Sequence, residues 1–109
     1  MKIIKRNGSE VEFDIVKITA AVGKANAVVE VDQRLTSDQI ELIASNVEKN
    51  CMSMRRAVGV EEIQDMVENQ IMEQKAFEVA RKYITYRYVQ NLKRRSQRGL
   101  ARSAAFAIW

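Results

Sequence analysis

The feature that most constrains this chain is the dipeptide Asn7-Gly8, which separates the short segments Lys2–Lys5 and Glu10–Phe13. Asn-Gly is the strongest short-range signal for a β-hairpin, because a type I′ turn needs a positive φ at both central residues. The two flanking segments are rich in β-branched residues and in charge. The sequence therefore predicts that the chain begins with an antiparallel hairpin.

A two-residue loop would fix which residues of the hairpin lie opposite one another. The predicted pairs are Arg6 with Ser9, Lys5 with Glu10, Ile4 with Val11 and Ile3 with Glu12. Side chains alternate between the two faces of a strand. One face is therefore predicted to be apolar, with Ile4, Val11 and Phe13 beside Arg6. The other is predicted to be charged, with Lys5, Glu10 and Glu12 beside Ile3.

Four helices are predicted after the hairpin from apolar residues at helical spacing. Asp14 is a good N-cap for the first helix, and Thr36 with Gln39 forms a capping box for the second. Gly59 precedes the third helix, and the fourth begins near Lys75. The inner face of the fourth helix is predicted to carry Phe77, Ala80, Ile84, Tyr88 and Leu92. The predicted fold class is α+β, with the hairpin packed as a lid on a four-helix bundle.

Composition indicates a small domain that binds rather than catalyses. The 109 residues include one cysteine, Cys51, and no histidine. A zinc site or a Ser-His or Cys-His dyad would need ligands that the chain lacks. A lone cysteine suits a reducing cytoplasm, and no apolar run reaches the roughly 18 residues that a membrane span needs. Carboxylates remain able to hold Mg²⁺ beside the phosphates of a ligand.

Basic residues are concentrated at the C-terminal end of the chain. From Lys75 onward there are nine Lys or Arg and one acid, Glu78. The predicted domain covers residues 1–95. Residues 96–109 are a basic and apolar tail with no partner element, interpreted as a linker, a truncation remnant or non-native sequence. A basic segment such as 93–102 also keeps open a rival function, nucleic-acid binding through phosphates without sequence preference.

Four segments together resemble the ATP-cone, a small nucleotide-binding regulatory domain at the N-terminus of many ribonucleotide reductases: "IIKRNGSEVEFDIVKI", "RLTSDQIELIASNVEKN", "VEEIQDMVENQI" and "FEVARKYITYRY". The most specific motif is a K-R-(D/N)-G turn followed five residues later by F-D and then by K-I. The resemblance runs from about Ile3 to Arg94. It is closest to the cone of anaerobic (class III) ribonucleoside-triphosphate reductases.

The resemblance implies a hairpin lid, sometimes with a third short strand, over a four-helix bundle. It implies a domain that binds ATP or dATP, with or without Mg²⁺, and is not itself an enzyme. In the family, ATP permits activity and dATP stops it, and the nucleotide sets the oligomeric state. The implied partners are the catalytic domain of a reductase and other copies of the chain. The zinc ribbon of the related DNA-binding repressors is missing.

A nucleoside triphosphate carries about four negative charges, which proteins usually meet with cations and helix N-termini. Lys5 and Arg6 match the family's phosphate or lid positions. Lys17 lies in the first turn of a helix, where a cation opposes the helix dipole unless an anion is nearby. The other candidate residues are backbone groups and apolar walls for the base, and polar side chains that close the site: Val11, Glu12, Phe13, Asp14, Ile18, Thr36, Tyr86 and Arg87. The family's adenine-binding acid aligns with Val11, which has no carboxylate.

Purely structural interpretations of these residues stay open. Lys5 opposite Glu10 would be a cross-strand ion pair. Thr36 would serve only as an N-cap, and Arg87 with Tyr86 would serve in packing or in an interface. A second rival function is an oligomerisation module in which the cations are incidental. Cys51 is predicted to be a small core residue.

Overall fold

The computed structural model describes residues 1–96 and 108–109, with side chains for residues 1–92 and 108–109. It confirms the predicted α+β fold of a hairpin and four helices. The elements are β1 (Lys2–Ile4), β2 (Glu10–Glu12), α1 (Ile15–Ala27), α2 (Ser37–Ser53), β3 (Val58–Gly59), α3 (Val60–Glu73) and α4 (Phe77–Ser96), with a 3-10 turn at Val31–Gln33 between α1 and α2. The central basic and apolar part of the predicted tail, 97–107, lies outside the described residues.

The hairpin forms at Asn7-Gly8, but its predicted register is wrong by one residue. The observed pairs are Lys2 with Glu12, Ile3 with Val11, and Ile4 with Glu10. The cause is the loop, in which Gly8 has a φ of +89° while Asn7 does not adopt a positive φ. The Gly8 N–H donates to the Lys5 carbonyl at 2.9 Å, and the Lys5 N–H donates to the Ser9 carbonyl at 2.8 Å. The loop therefore contains three residues instead of two.

The corrected register exchanges the two faces of β1, while Val11 and Phe13 keep the apolar face predicted for them. Ile3, predicted on the charged face, is fully buried, whereas Ile4 is 37% exposed. Val11 and Phe13 are partly buried against the same core as Ile3. Because Lys5 lies opposite Ser9, the predicted ion pair with Glu10 does not form.

A third strand joins the sheet from the segment between α2 and α3. The strand order is β2-β1-β3, with β3 parallel to β1. Ile3 pairs with Val58, and Ile4 pairs with Gly59. Since Gly59 is also the N-cap of α3, this short pairing places the first turn of α3 beside the end of β1.

Local start signals explain where the helices begin. The Asp14 carboxylate accepts the Val16 N–H at 3.1 Å and caps α1. The predicted capping box of α2 is present: the Gln39 N–H donates to the Thr36 hydroxyl at 3.1 Å, and the Thr36 N–H donates to the Gln39 side chain at 2.8 Å. At α3, the Gly59 N–H donates to Glu62 at 3.0 Å. These bonds satisfy amides that a helix N-terminus would leave without partners.

The core lies between the sheet and the four helices, and Cys51 is buried in it as predicted. Burial raises the pKa of the Cys51 thiol to about 11, so this side chain stays protonated at neutral pH. None of the helices in the described part of the chain is long and apolar enough to cross a membrane.

The inner face of α4 differs from the predicted one. Its buried residues are Val79, Ala80 and Tyr83. Of the five residues predicted to face inward, Ala80 alone is buried; the others are between 41% and 61% exposed, namely Phe77, Ile84, Tyr88 and Leu92. The prediction failed because the true inner face continues through a tyrosine and an arginine, Arg87, which an apolar pattern does not select.

The corrected register is tested by truncating the two isoleucines of β1. We expect Ile3→Ala to lower the free energy of unfolding by about 2–4 kcal/mol, because it leaves a cavity in the core. Ile4→Ala is the matched control and should cost about 1 kcal/mol or less, since its side chain reaches solvent. Urea unfolding followed by circular dichroism measures both. A larger loss for Ile4→Ala would support the register of a two-residue loop.

Candidate functional site

The end of the hairpin is joined to α3 by a salt bridge between Arg6 and Glu61. Chains that leave paired parallel strands emerge at the same edge of the sheet. Arg6 follows Ile4 by two residues, and Glu61 follows the partner of Ile4, Gly59, by two residues. The Arg6 Nε atom lies 2.7 Å from Glu61 Oε2. The register of β1 and β3 thus positions this contact.

Arg87 of α4 binds the same glutamate from the other side. Its guanidinium lies 2.7 Å from Glu61 Oε1, 2.9 Å from Asp65 Oδ1 and 2.7 Å from Glu68 Oε2. These acids are spaced four and three residues apart, so they share one face of α3. The Arg87 side chain is only 17% exposed, and the interpretation of Arg87 as a packing residue fits its position.

This group of two arginines and three acids has one more negative than positive charge. Burial alone would lower the pKa of Arg87, but hydrogen bonds to Glu68, Glu61 and Asp65 outweigh it and raise the pKa. Burial likewise opposes ionisation of Glu61, yet Arg87 and Arg6 hold the pKa of this carboxyl below its usual value. Arg87 and Glu61 therefore keep their charges at neutral pH.

A buried hydrogen bond underlies the charged group. The Tyr83 hydroxyl donates to the Gln64 side-chain oxygen, and these residues are 0% and 2% exposed. Gln64 lies three residues after Glu61, and Tyr83 lies four residues before Arg87, so each is one helical turn away. Burial, with the nearby charge of Glu68, raises the pKa of Tyr83 and keeps its hydroxyl protonated. This contact fixes α4 against α3 below the arginines.

Two of the predicted phosphate-binding cations, Lys5 and Lys17, have no side-chain partner among the described residues. Lys5 is half-buried at the end of β1, and Lys17 is exposed in the first turn of α1. The first turn of α1 contains no acidic residue, and the carboxylate of its N-cap, Asp14, accepts the Val16 N–H. Lys5 thus belongs to the hairpin, and Lys17 belongs to the helix that follows it.

Apolar side chains form a wall below the hairpin, at the predicted position for a base. Ile18 is fully buried, and Val11 and Phe13 are partly buried. The ring centroids of Phe13 and Trp109 are 5.7 Å apart, with the planes tilted by 45°. Ile108 is 2% exposed and belongs to the core, so the prediction that the tail has no partner element is wrong for its last two residues.

Two predicted site residues make contacts away from the arginines. Glu12 is on the outer face of the hairpin and pairs with Lys2 at 2.7 Å. Thr36 is held in its capping box, and the Gln39 of that box donates to Gln74 at the C-terminal end of α3. Since α3 has 14 residues, that end is about 20 Å from Glu61. The structure therefore does not bring Thr36 together with the hairpin cations.

Glu61 is the residue that the sequence analysis missed. Acids in the first turn of a helix are common, because they suit the helix dipole. Its pairing with Arg6 follows only from the parallel pairing of β1 with β3, a strand of two residues. That strand carries too little pattern to be found from periodicity.

The structure also contains a cleft of about 400 Å³ between α1 and α2, and none of the predicted cations lines it. Its lining residues are Ile15, Val16, Thr19, Glu41, Ala44 and Ser45. A triphosphate bound there would contact the acidic side chain of Glu41 and no basic side chain. The charged hairpin end is the better candidate site.

Comparison with known proteins gives a match over most of the chain. The sequence model of the ATP cone domain matches residues 1–92. The chain is 30% identical over 95 residues to the ribonucleoside-diphosphate reductase subunit alpha of Chlamydia trachomatis, covering 80% of this chain and 9% of the relative.

Anaerobic ribonucleoside-triphosphate reductases are similar to the same part of the chain. That of Haemophilus influenzae is 32% identical over 100 residues, covering 92% of this chain and 14% of the relative. That of Escherichia coli is 35% identical over 92 residues, covering 84% of this chain and 12% of the relative. The chain thus spans about a tenth of the length of these relatives, and reductases of both kinds are among them.

The contacts of Arg87 predict that replacing it lowers the free energy of unfolding more than replacing Arg81, another arginine of α4. We expect Arg87→Met to lower the free energy of unfolding by about 1–3 kcal/mol, because Glu68 is left unpaired in a poorly solvated position. Arg81→Met is the matched control; Arg81 is 73% exposed and pairs only with Glu78 in the described structure. Its loss should stay within about 0.5 kcal/mol. Equal losses in urea unfolding would contradict the role given to Arg87.

The depressed pKa values in the first turn of α3 predict acid sensitivity. Arg56 and the Gly59 N–H lower the pKa of Glu62 to about 2, and the pKa of Glu61 is also lowered. Groups with lowered pKa values stabilise the fold above their unfolded pKa and lose that contribution as pH falls through the folded pKa. We expect the free energy of unfolding to decrease from about pH 4.5 to about pH 2. Glu62→Gln should make this decrease shallower; an unchanged slope would contradict the assignment.

Proposed function

This chain belongs to the ATP cone family, and we propose that it binds ATP or dATP as an allosteric ligand. It then acts as the regulatory domain of a ribonucleotide reductase and has no catalytic role of its own. The observation that carries the proposal is the match to the ATP cone over residues 1–92, supported by Lys5 and Lys17, which have no side-chain partner among the described residues.

The phosphates are proposed to bind Lys5, Lys17 and Arg6. Lys5 and Lys17 have no competing side-chain partner in the described structure. Lys17 opposes the dipole of α1, and an anion beside the helix start would reverse that penalty. The described residues contain no group of three His, Cys, Asp or Glu side chains arranged for a metal. If Mg²⁺ is bound, the phosphates supply ligands to it.

The base is proposed to lie against the exposed parts of Val11 and Phe13, while Ile18 is fully buried in the core. Trp109 packs on Phe13, and its buried indole N–H has no hydrogen-bond partner among the described residues. A purine ring is an aromatic surface of similar size, so it suits the same contact. Backbone groups from 11 to 14 are proposed to supply the polar contacts to the base.

The proposed regulatory role is supported by the small part of its relatives that the chain covers. These relatives are named as reductases, and the matched part is between 9% and 14% of each. We propose that the catalytic domain of such an enzyme is the partner, with ATP and dATP having opposite effects. Self-association that depends on the nucleotide is the proposed output.

Calorimetric titration of the full chain with ATP and dATP, with and without Mg²⁺, tests the proposal. We expect binding with a rise in melting temperature, and we expect Lys17→Ala to remove most of the rise. Lys75→Asn is a charge-matched control at the far end of α3, where asparagine tolerates the φ of +62°. This control should bind like the wild type.

The outcomes separate the rival functions. No heat and no thermal shift at millimolar nucleotide would reject the nucleotide-binding function. Binding of oligonucleotides with a steep salt dependence, and no response to mononucleotides, would favour nucleic-acid binding instead. Association measured by light scattering with and without dATP distinguishes regulated from constitutive oligomers.

A further inference from the structure

We infer that Glu61 is an internal competitor of the nucleotide: its carboxylate holds Arg6, which the phosphates need, and so sets the affinity of the site. This inference rests on the proposed function. It adds a residue that weakens binding and links it to the contact between the hairpin and α3.

The carboxylate of Glu61 is divided between two arginines. Oε2 accepts from Arg6 Nε at 2.7 Å, and Oε1 accepts from Arg87 at 2.7 Å. Arg87 has two further carboxylates, Asp65 and Glu68. Arg6 has Glu61 as its single ion-pair partner in the described structure. An incoming phosphate can therefore bind Arg6 more easily than Arg87, which has three carboxylate partners.

The exchange leaves no charge without a partner. When a phosphate oxygen replaces the Glu61 carboxylate on Arg6, the guanidinium keeps a charge-assisted hydrogen bond. Glu61 keeps its bond to Arg87, so its own charge stays compensated. The Glu61 side chain is 48% exposed, and exposed ion pairs of this kind contribute little stability. The exchange therefore has a small cost that the phosphate contacts can exceed.

The exchange also removes a contact between the hairpin loop and α3. Arg6 lies in the three-residue loop at the tip of the hairpin, and its side chain reaches α3 through Glu61. Once Arg6 binds phosphate, this tie between the loop and the first turn of α3 is broken. The remaining negative charge of Glu61 faces the bound phosphates and opposes them. Both effects make the affinity lower than the lysines and Arg6 would give alone.

The test compares two neighbouring glutamates of α3 by calorimetric titration with ATP. We expect Glu61→Gln to bind ATP about three- to twentyfold more tightly than the wild type, because a neutral amide neither holds Arg6 nor repels phosphate. Glu62→Gln removes the same charge one residue away, where the partners are Arg56 and Gly59. This control should stay within about twofold of the wild type.

The titrations of the wild type and of Glu61→Gln distinguish failure of the proposed function from failure of the competitor role. If the wild type and Glu61→Gln both fail to bind ATP, the proposed function is wrong. If the wild type binds and Glu61→Gln binds equally or more weakly, the competitor role is wrong.

If Glu61→Gln does not fold, an NMR measurement on the wild-type protein still tests the competitor role. The Arg6 Nε–H resonance should shift when ATP is added, because its acceptor changes from a carboxylate to a phosphate. An Arg6 resonance that stays in place while ATP binds would also reject the competitor role.

Discussion

The arrangement of the charged residues depends on the parallel pairing of β1 with β3. β3 has only two residues, and its second residue, Gly59, is also the N-cap of α3. Pairing of Ile4 with Gly59 brings the hairpin loop beside the first turn of α3. The contact between Arg6 and Glu61 follows from that register, and Arg87 then reaches the same glutamate from α4. Without β3, the hairpin and the last helix would share no charged contact through Glu61.

The two arginines bound to Glu61 differ in how firmly they are held. Arg87 is mostly buried and surrounded by three carboxylates, above a buried bond between Tyr83 and Gln64. Arg6 lies in a loop and has one carboxylate. The first arrangement suits a permanent support between α3 and α4, and the second suits a contact that can be exchanged. One glutamate thus connects a rigid part of the molecule with a more adaptable part.

Much of the fold could be predicted because local chemistry decides it. The N-cap at Asp14 and the capping box at Thr36 depend on a few adjacent residues, and both are present. The hairpin register could not be predicted from Asn7-Gly8, since the positive φ falls on Gly8 alone and the loop gains a residue. The inner face of α4 was missed because its polar members are stabilised by partners on α3. Glu61 was missed because its role depends on β3, which has too few residues to show a pattern.

The contact of Trp109 with Phe13 makes tryptophan fluorescence a probe of the region around Phe13. The chain contains a single tryptophan, so its emission comes from one place without labelling. Within the described part of the chain the indole N–H is buried without a hydrogen-bond partner. An indole shielded from water is expected to emit at shorter wavelength than one in water. Water or a polar ligand at Phe13 would shift that emission to longer wavelength. The intrinsic fluorescence of this protein is therefore expected to respond to a ligand that binds the wall below the hairpin.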